Sequence, residues 1–474
     1  MSWLALWQIL QWTIRIAMVP VILRRRFQPV TSLTWLTLIF FLPEVGLLVY
    51  LLVGVSYLGR RRARSHERIV GERRLPSYLA ETYRERPEVH PEQRTMIIQA
   101  EQIGGNSILS GNHVELLPEA GRLVDQLVRE IDAAEHHVHL LYYIFWPDAV
   151  GERVIAALQR AARRGVQCRL LVDATGSRPL LRSAAMQEMR AAGVRAEAAL
   201  PVTPWRRKLA RLDLRNHRKI AVIDGRTAYT GSHNIVTDDY GNKRAGRWVD
   251  LSVRLTGPAV AQLQAAFLDD WAFETDERPD DDELFPPLKP AGQVAAQVVP
   301  TGPSHEAETF RRVLVAALNT AQRRIILTTP YLVLDEPSML ALAMAADRGV
   351  QVDVIVPRKS DHPLVEAAGR WYYDQLLDAN VNVHLYTDGM LHAKTITVDD
   401  AFALLGSANL DIRSFYLNFE INVLLYGPEI TGELRFAQQR YLAQSQQLNL
   451  EQWRARPILR QYVESAAALL SPIL

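Results

Sequence analysis

Four kinds of side chain able to handle a phosphate recur in this chain at one fixed spacing. His217-Arg218-Lys219, with Asp224 closing the run, is followed by Gly231-Ser232-His233-Asn234. His392-Ala393-Lys394, with Asp399, is followed by Gly406-Ser407-Ala408-Asn409. Six identities share one offset of 175 residues (392 minus 217, and 409 minus 234). On a strand, residues i and i+2 face the same way, so each histidine projects beside its lysine. One such pair reads as a half-exposed strand with a polar face. Two pairs, each with its trailing Gly-Ser-x-Asn, point to a shared site. Gathered at one point, these groups suit a phosphodiester. Lys219, Lys394, Ser232, Asn234, Ser407 and Asn409 offer cations and donors for charge on the equatorial oxygens. One imidazole can attack phosphorus while the other protonates the leaving oxygen. The cationic side chains supply the electrostatics, so the chemistry requires no metal and no cofactor.

The elements that must position these residues repeat as well. Arg164-Gly165-Val166-Gln167 leads into Leu170-Leu171-Val172, and Arg348-Gly349-Val350-Gln351 leads into Val354-Ile355-Val356. Each reads as a helix end, a glycine turn and a buried strand. The runs Val138 to Phe145 and Ile325 to Val333 follow helical patterns. Asp224-Gly225 signals a turn after the strand Ala221-Val222-Ile223, so Asp224 and Asp399, counted with His217, Lys219, His392 and Lys394 as the catalytic motif residues, read as fixing the motif's structure more than as touching substrate. The expected architecture is α/β, with two pseudo-twofold-related halves sharing one active site. The boundaries are a membrane region at 1–62, a polar linker at 63–107, a first half at 108–285 and a second at 286–474. Glu277 to Pro290, rich in Asp and Pro, reads as a surface linker between the halves.

The composition is ordinary for a globular chain: 474 residues, 48% apolar, 22% charged. This excludes wholesale disorder, collagen and coiled coil. With 54 basic against 52 acidic residues, the net +2 demands no nucleic-acid partner. The single Cys168 rules out an internal disulfide or a cysteine-based zinc site. The N-terminus is different. Thr31 to Leu58 carries one charge, Glu44, over 28 residues. As a helix it would reach roughly 42 Å, enough to cross a bilayer with tilt. Ser2 to Leu23 is also apolar, but Gln8, Gln11 and Arg15 share one helical face. That pattern fits an interfacial helix or one packed against a neighbour. Arginines at 24–26 and at 60–62 and 64 flank the second segment. The positive-inside rule wants both clusters in the cytoplasm, yet one crossing separates them. Two spans, with the catalytic region inside, is the favoured topology. A re-entrant hairpin with its tip at Pro43-Glu44 is the alternative.

The duplicated His-x-Lys-x4-Asp motif with Gly-Ser-x-Asn behind it resembles the phospholipase D superfamily. More narrowly, the chain is similar to the bacterial cardiolipin synthases. The similarity extends to the membrane segment from Leu33 to Gly54, to Gly111-Asn112, and to Leu469-Leu470-Ser471-Pro472-Ile473-Leu474. The resemblance implies an enzyme of the bacterial inner membrane that uses phosphatidylglycerol and other anionic phospholipids. One phosphatidylglycerol would phosphatidylate a histidine and release glycerol. A second would then attack the phosphohistidine to give cardiolipin. By analogy His217 is the nucleophile and His392 the general acid, then base. Lys219, Lys394, Asn234 and Asn409 would hold the phosphate.

Each histidine also needs an acidic partner to set its tautomer. Family members carry a Glu after the second motif, which Glu420 matches. The same offset in the first half falls on Ala245, a departure. Asp250 is the substitute, which leaves the pairing of His217 open. Between Arg206 and Lys219 stand seven basic residues and one Asp, read as a cationic funnel for lipid headgroups with Trp205 at the interface. His136, His137 and His139 read as a packed or solvent-facing trio. No role follows for Asp238-Asp239 or Trp371-Tyr372-Tyr373. A hydrolase using water, or transfer to another alcohol such as ethanolamine, would share every motif. A nuclease would gain nothing from the apolar N-terminus. A homo-oligomer is compatible with the sequence.

Overall fold

The computed structural model describes all residues except 1, 26–28, 55–58, 73–74, 85–90, 202–213, 242, 280–283, 304–307 and 472–474. The chain divides into two units, residues 1–63 with 202–214, and residues 64–201 with 215–474. The Arg206-to-Lys219 funnel, with Trp205, falls largely outside the described residues, as does the extreme C-terminus of the resemblance.

The larger unit is organised on one mixed sheet of 15 strands. From the centre outward, the first half contributes Leu109–Leu117, Ser252–Thr256, Thr227–Gly231, Ile220–Ile223, His137–Tyr142, Gln167–Asp173 and Arg195–Ala199. In the other direction the second half contributes Val294–Thr301, Glu420–Tyr426, Phe402–Gly406, Thr395–Val398, Arg324–Thr328, Gln351–Pro357 and Asn382–Tyr386, with Ser445–Gln447 added at the edge. The order of matching strands is the same in both halves. They join where Leu109 pairs with Ala296 and Asn112 with Val294, antiparallel, as a twofold between equivalent strands requires.

Alternation along the strands decides the layers. Leu140 and Leu170 face a core closed by helices Ala120–Ala133, Ala149–Arg163 and Ala184–Ala191. Leu141 and Leu171 face the opposite core, closed by Val260–Thr275 and Pro428–Ala443, which both halves share. The second half repeats the outer layer with Thr309–Thr320, Glu336–Asp347 and Pro363–Asp378, and Tyr372 and Tyr373 belong to that core. Each buried Leu or Val contributes about 1.5–3 kcal/mol on both faces, so a one-residue slip in register is costly.

Both expected linkers are more structured than their composition suggests. The stretch 63–107 is occupied by helices Gly59–Gly71, Ser77–Tyr83 and Pro91–Gly104. Between the halves, Leu284 and Leu288 are buried, and the Tyr78 hydroxyl donates to Pro286 O while accepting from Leu288 N–H. Apolar residues among the acidic ones anchor this segment.

In the smaller unit the favoured two-span reading is not met. Trp3–Leu23 is a 21-residue helix, the one candidate span among the described residues. The segment expected to cross as a single long helix is broken, so a multi-pass anchor is not supported. It forms Pro29–Phe41 and Pro43–Val49, followed by a π-helical turn Tyr50–Gly54. Pro43 cannot donate to the preceding turn, and Leu42 leaves helical geometry. The turn is sharp enough that a Cβ on Gly46 would lie 2.9 Å from the Ile39 backbone. Arg15, the charge that interrupts the first segment, donates its Nε–H to Phe40 O at 2.9 Å, so this face packs against a neighbour.

Candidate active site

The two motif segments leave their own half of the sheet before they enter the strands. Asn216 bridges Phe419 in parallel, and Met390–Leu391 pairs in parallel with Trp248–Val249. His217 N–H donates to Phe419 O at 2.9 Å, and His392 N–H to Val249 O at 2.8 Å. The residue after Phe419 is Glu420, and the residue after Val249 is Asp250. Each histidine therefore takes its carboxylate from the opposite half. His217 Nδ1 lies 3.2 Å from Glu420 Oε1, and His392 Nδ1 lies 2.6 Å from Asp250 Oδ1. Both contacts leave Nε2 for substrate.

The two carboxylates are structural equivalents despite their different offsets. Ser232 exchanges backbone and hydroxyl hydrogen bonds with Leu251, the residue after Asp250. Ser407 N–H likewise donates to Ile421 O, and its hydroxyl accepts from the N–H of Ile421, the residue after Glu420. Asn234 to Asp250 is 16 residues and Asn409 to Glu420 is 11. The first half carries five extra residues there, which is why a fixed offset lands on Ala245. The glycines before both serines are demanded by close approach. A Cβ at Gly231 would sit 2.4 Å from Ser252 Cα, and one at Gly406 2.3 Å from Ile421 O.

Both lysines curl back onto the motif. Lys219 Nζ donates to His217 O at 2.6 Å and Lys394 Nζ to His392 O at 2.5 Å. Burial lowers Lys219 to about 8 and Lys394 to about 7, against the pull of Glu420 and Asp250. Burial also lowers both imidazoles, His392 to about 4 with help from Lys394, and His217 against Glu420. Burial would raise Glu420, but His217 and Lys219 outweigh it and hold it low. Asp250 is likewise opposed by burial and is held far below its usual value by His392, His233 and Lys394.

The two aspartates of the motifs sit away from this cluster. Asp224 accepts from the N–H groups of Glu135, His136 and His137 at 2.8–2.9 Å. Asp399 accepts from Gln322, Arg323 and Arg324 at 2.8–2.9 Å. Each ties the hairpin after the motif to the start of the neighbouring strand. Ser232, wholly buried, fastens a strand, and Ser407 Oγ donates to Glu420 Oε2 at 2.6 Å. Asn234 accepts from Ile144 N–H at 3.1 Å.

The histidines, lysines, Asn234, Asn409 and Ser407 line one cavity of about 500 Å³ within the larger unit. Sequence reasoning missed several of its walls. Tyr143 packs on His217 with ring centroids 4.1 Å apart, and the Trp248 edge meets His392 at 4.6 Å. Asn418 Nδ2 reaches Glu420 Oε1 at 3.2 Å, a contact that i, i+2 alternation from Glu420 would have revealed. Arg218, counted with the cationic funnel, is instead buried. It bonds Asp270 Oδ1 at 2.8 Å, Glu420 O at 3.0 Å and Thr301 O at 2.9 Å, pinning the first motif to the second half. His139 is also structural, bonded to Gln264 and Arg169.

The family model described as cardiolipin synthase, PLD-like domain, matches residues 127–271 and 314–440. Three curated relatives named cardiolipin synthase A are each 36% identical, those of Serratia proteamaculans, Proteus mirabilis and Pectobacterium carotovorum. Each alignment covers 96% of this chain and 95% of the relative. The phosphatidylserine synthase of Haemophilus influenzae has a similar fold, with TM-score 0.60 at 16% identity over 80% of this chain and 100% of that one.

Proposed function

The chain belongs to the cardiolipin synthases, phosphatidyltransferases built on a duplicated phospholipase D-like domain, and we propose that its cavity makes cardiolipin and glycerol from two molecules of phosphatidylglycerol. The observation that carries this reading is the crossed pair of histidine–carboxylate contacts in one cavity with two buried lysines. His217 Nε2 attacks the phosphodiester of the first lipid. A P–N bond forms, the bond from phosphorus to the glycerol oxygen breaks, and His392 gives that oxygen its proton. A hydroxyl of the second lipid then attacks phosphorus, its proton passes to His392, and His217 is released.

Electrostatics favour this division of labour. Asp250 bonds His392 at 2.6 Å and stays ionised, which suits an imidazole that must carry a proton. Glu420 divides itself among His217, Ser407, Ser414 and Asn418. Its hold on an imidazolium is weaker, as a nucleophile that must stay neutral requires. Burial first, then Lys394 and, more weakly, Lys219 depress His392 against the pull of Asp250. A phosphodiester between the lysines offsets their share of that shift and adds its own pull on a protonated His392. Lys219, Lys394, Asn234 and Asn409 hold the equatorial oxygens.

We read the N-terminal region as one span, Trp3–Leu23, followed by an apolar hairpin that enters and leaves by the same face. This topology leaves Arg24, Arg25 and the arginines after the hairpin together on the cytoplasmic side, with the catalytic unit. A tag inserted between Arg26 and Thr31 should then share its accessibility with the C-terminus. Nucleic acid stays outside the proposed substrates, since the apolar region would add nothing to a nuclease.

Purified protein given phosphatidylglycerol alone in detergent, with chelator, should yield cardiolipin and equimolar glycerol. His217→Ala should abolish both. Phosphatidic acid as the sole product would make the enzyme a hydrolase.

A further inference from the structure

The cavity wall differs in character on its two flanks. On the His217 flank it carries Asp411 and the cationic Arg413, with Tyr143 beside Lys219. Beside His392 it is aromatic and acceptor-rich. Tyr240 stacks on Trp248 at 4.4 Å and 17°, and Trp248 in turn edges His392. Tyr331 packs into the same cluster. Its hydroxyl donates to Asp361 Oδ1 at 2.7 Å, and His362 Nε2 lies 3.3 Å from the other carboxylate oxygen. The Asp361 side chain is 12% exposed and lines the cavity. Nearby chemistry agrees. Asn409 is 3% exposed, and its Oδ1 has no partner among the described residues, whereas the equivalent Asn234 Oδ1 is satisfied by Ile144. Carboxylate and amide oxygens offer nothing to a phosphodiester anion. They are what hydroxyl protons need, and aromatic faces suit the C–H surface of a polyol.

We propose that Tyr240, Trp248, Tyr331 and Asp361 form the alcohol subsite of this enzyme, taking the glycerol headgroup first as leaving group and then as attacking nucleophile. This rests on the assignment of His217 as nucleophile. In-line displacement puts the leaving oxygen opposite His217, on the His392 flank, and the acceptor hydroxyl enters by the same position. In the capture step the acceptor oxygen bonds phosphorus, the P–N bond to His217 breaks, and the hydroxyl proton goes to His392. Water and any other alcohol compete for the same phosphohistidine. Acceptor recognition is therefore read as a ratio of products.

The test supplies phosphatidylglycerol with a fixed concentration of 1-butanol, which has no second hydroxyl, and resolves cardiolipin, phosphatidic acid and phosphatidylbutanol. For Asp361→Ala the ratio of cardiolipin to the other two should fall about tenfold, and for Tyr331→Phe about threefold. All products leave one intermediate, so the ratio does not depend on how much variant is folded. Asp361→Asn keeps the shape and should fall between the wild type and the alanine variant. An unchanged ratio in these variants overturns the subsite even if total turnover drops. A wild-type enzyme that releases no glycerol, or a His217→Ala enzyme that still makes cardiolipin, overturns the active-site reading instead.

Discussion

The first and second motifs share six residues at one offset, yet they end in different surroundings. His217 sits under Tyr143 and shares Glu420 with three other groups. His392 sits against Trp248 and has a 2.6 Å contact to Asp250. Arg218 between the first His and Lys is bonded into the second half, where the other motif has the small Ala393. The chain carries two copies of a phosphate-handling strand, and the difference in what surrounds them is the basis of the proposed split into nucleophile and proton carrier.

The sharpest way to break this comparison is to separate the two histidines by leaving group. With a phosphatidyl donor whose leaving group is p-nitrophenolate, departure needs no general acid. His392→Ala should then still accumulate a phosphatidyl-enzyme, while His217→Ala forms none, a contrast of at least about 10³-fold in covalent labelling. Labelling that survives in His217→Ala and vanishes in His392→Ala would exchange the roles.

The crossed pairing is tested one step weaker. Glu420→Gln and Asp250→Asn should each slow turnover by about 10²–10⁴-fold by spoiling a tautomer. Glu420→Gln should be non-additive with His217→Ala, and Asp250→Asn with His392→Ala. Coupling within each half instead would undo the crossing.

Symmetry itself is the next target. Asp399→Ala leaves three backbone N–H groups without their carboxylate and should cost about 3 kcal/mol in denaturant unfolding. Asp224→Ala should cost a similar amount, because the contact is the same in both halves. A large difference would show that the aspartates do different jobs.

The smallest signal comes from protons. Folded Lys394 and Lys219 are lowered to about 7 and about 8, below the usual lysine value. The unfolded chain therefore holds more protons between about pH 7 and 10.5, and stability gains from these groups as pH rises through that window. The same shifts predict that inorganic phosphate binding at pH 8 takes up about one proton, seen by calorimetry in two buffers of different ionisation enthalpy. Lys394→Gln should remove most of that uptake.

Much of this was legible in the residues. The repeat offset gave the two halves, and the apolar runs after Gly165 and Gly349 are indeed buried parallel strands. The motif aspartates read as structural, and they bind only backbone in the hydrogen bonds described above. Other readings failed for physical reasons. Thr31 to Leu58 looked like one span because hydropathy does not register that Pro43 ends a helix while leaving the segment apolar. The stretches 63–107 and 277–290 looked like linkers because a few buried residues, such as Leu79 and Leu288, are enough to anchor polar sequence. Arg218 looked like surface charge because Asp270, its partner, lies 52 residues away.

The sequence by itself determined the kind of chemistry. Side-chain type and i, i+2 spacing on a strand are local properties, so two His-x-Lys motifs with their glycines and asparagines specify a phosphate site wherever the chain goes. Only the tertiary structure decided which carboxylate serves which histidine. That choice depends on Asn216 meeting Phe419 and Leu391 meeting Val249, pairings between segments of different halves. Five extra residues before Asp250 conceal the equivalence from any fixed offset. A hydrogen bond of a few ångströms is set by where strands meet, and distance along the chain carries no record of that.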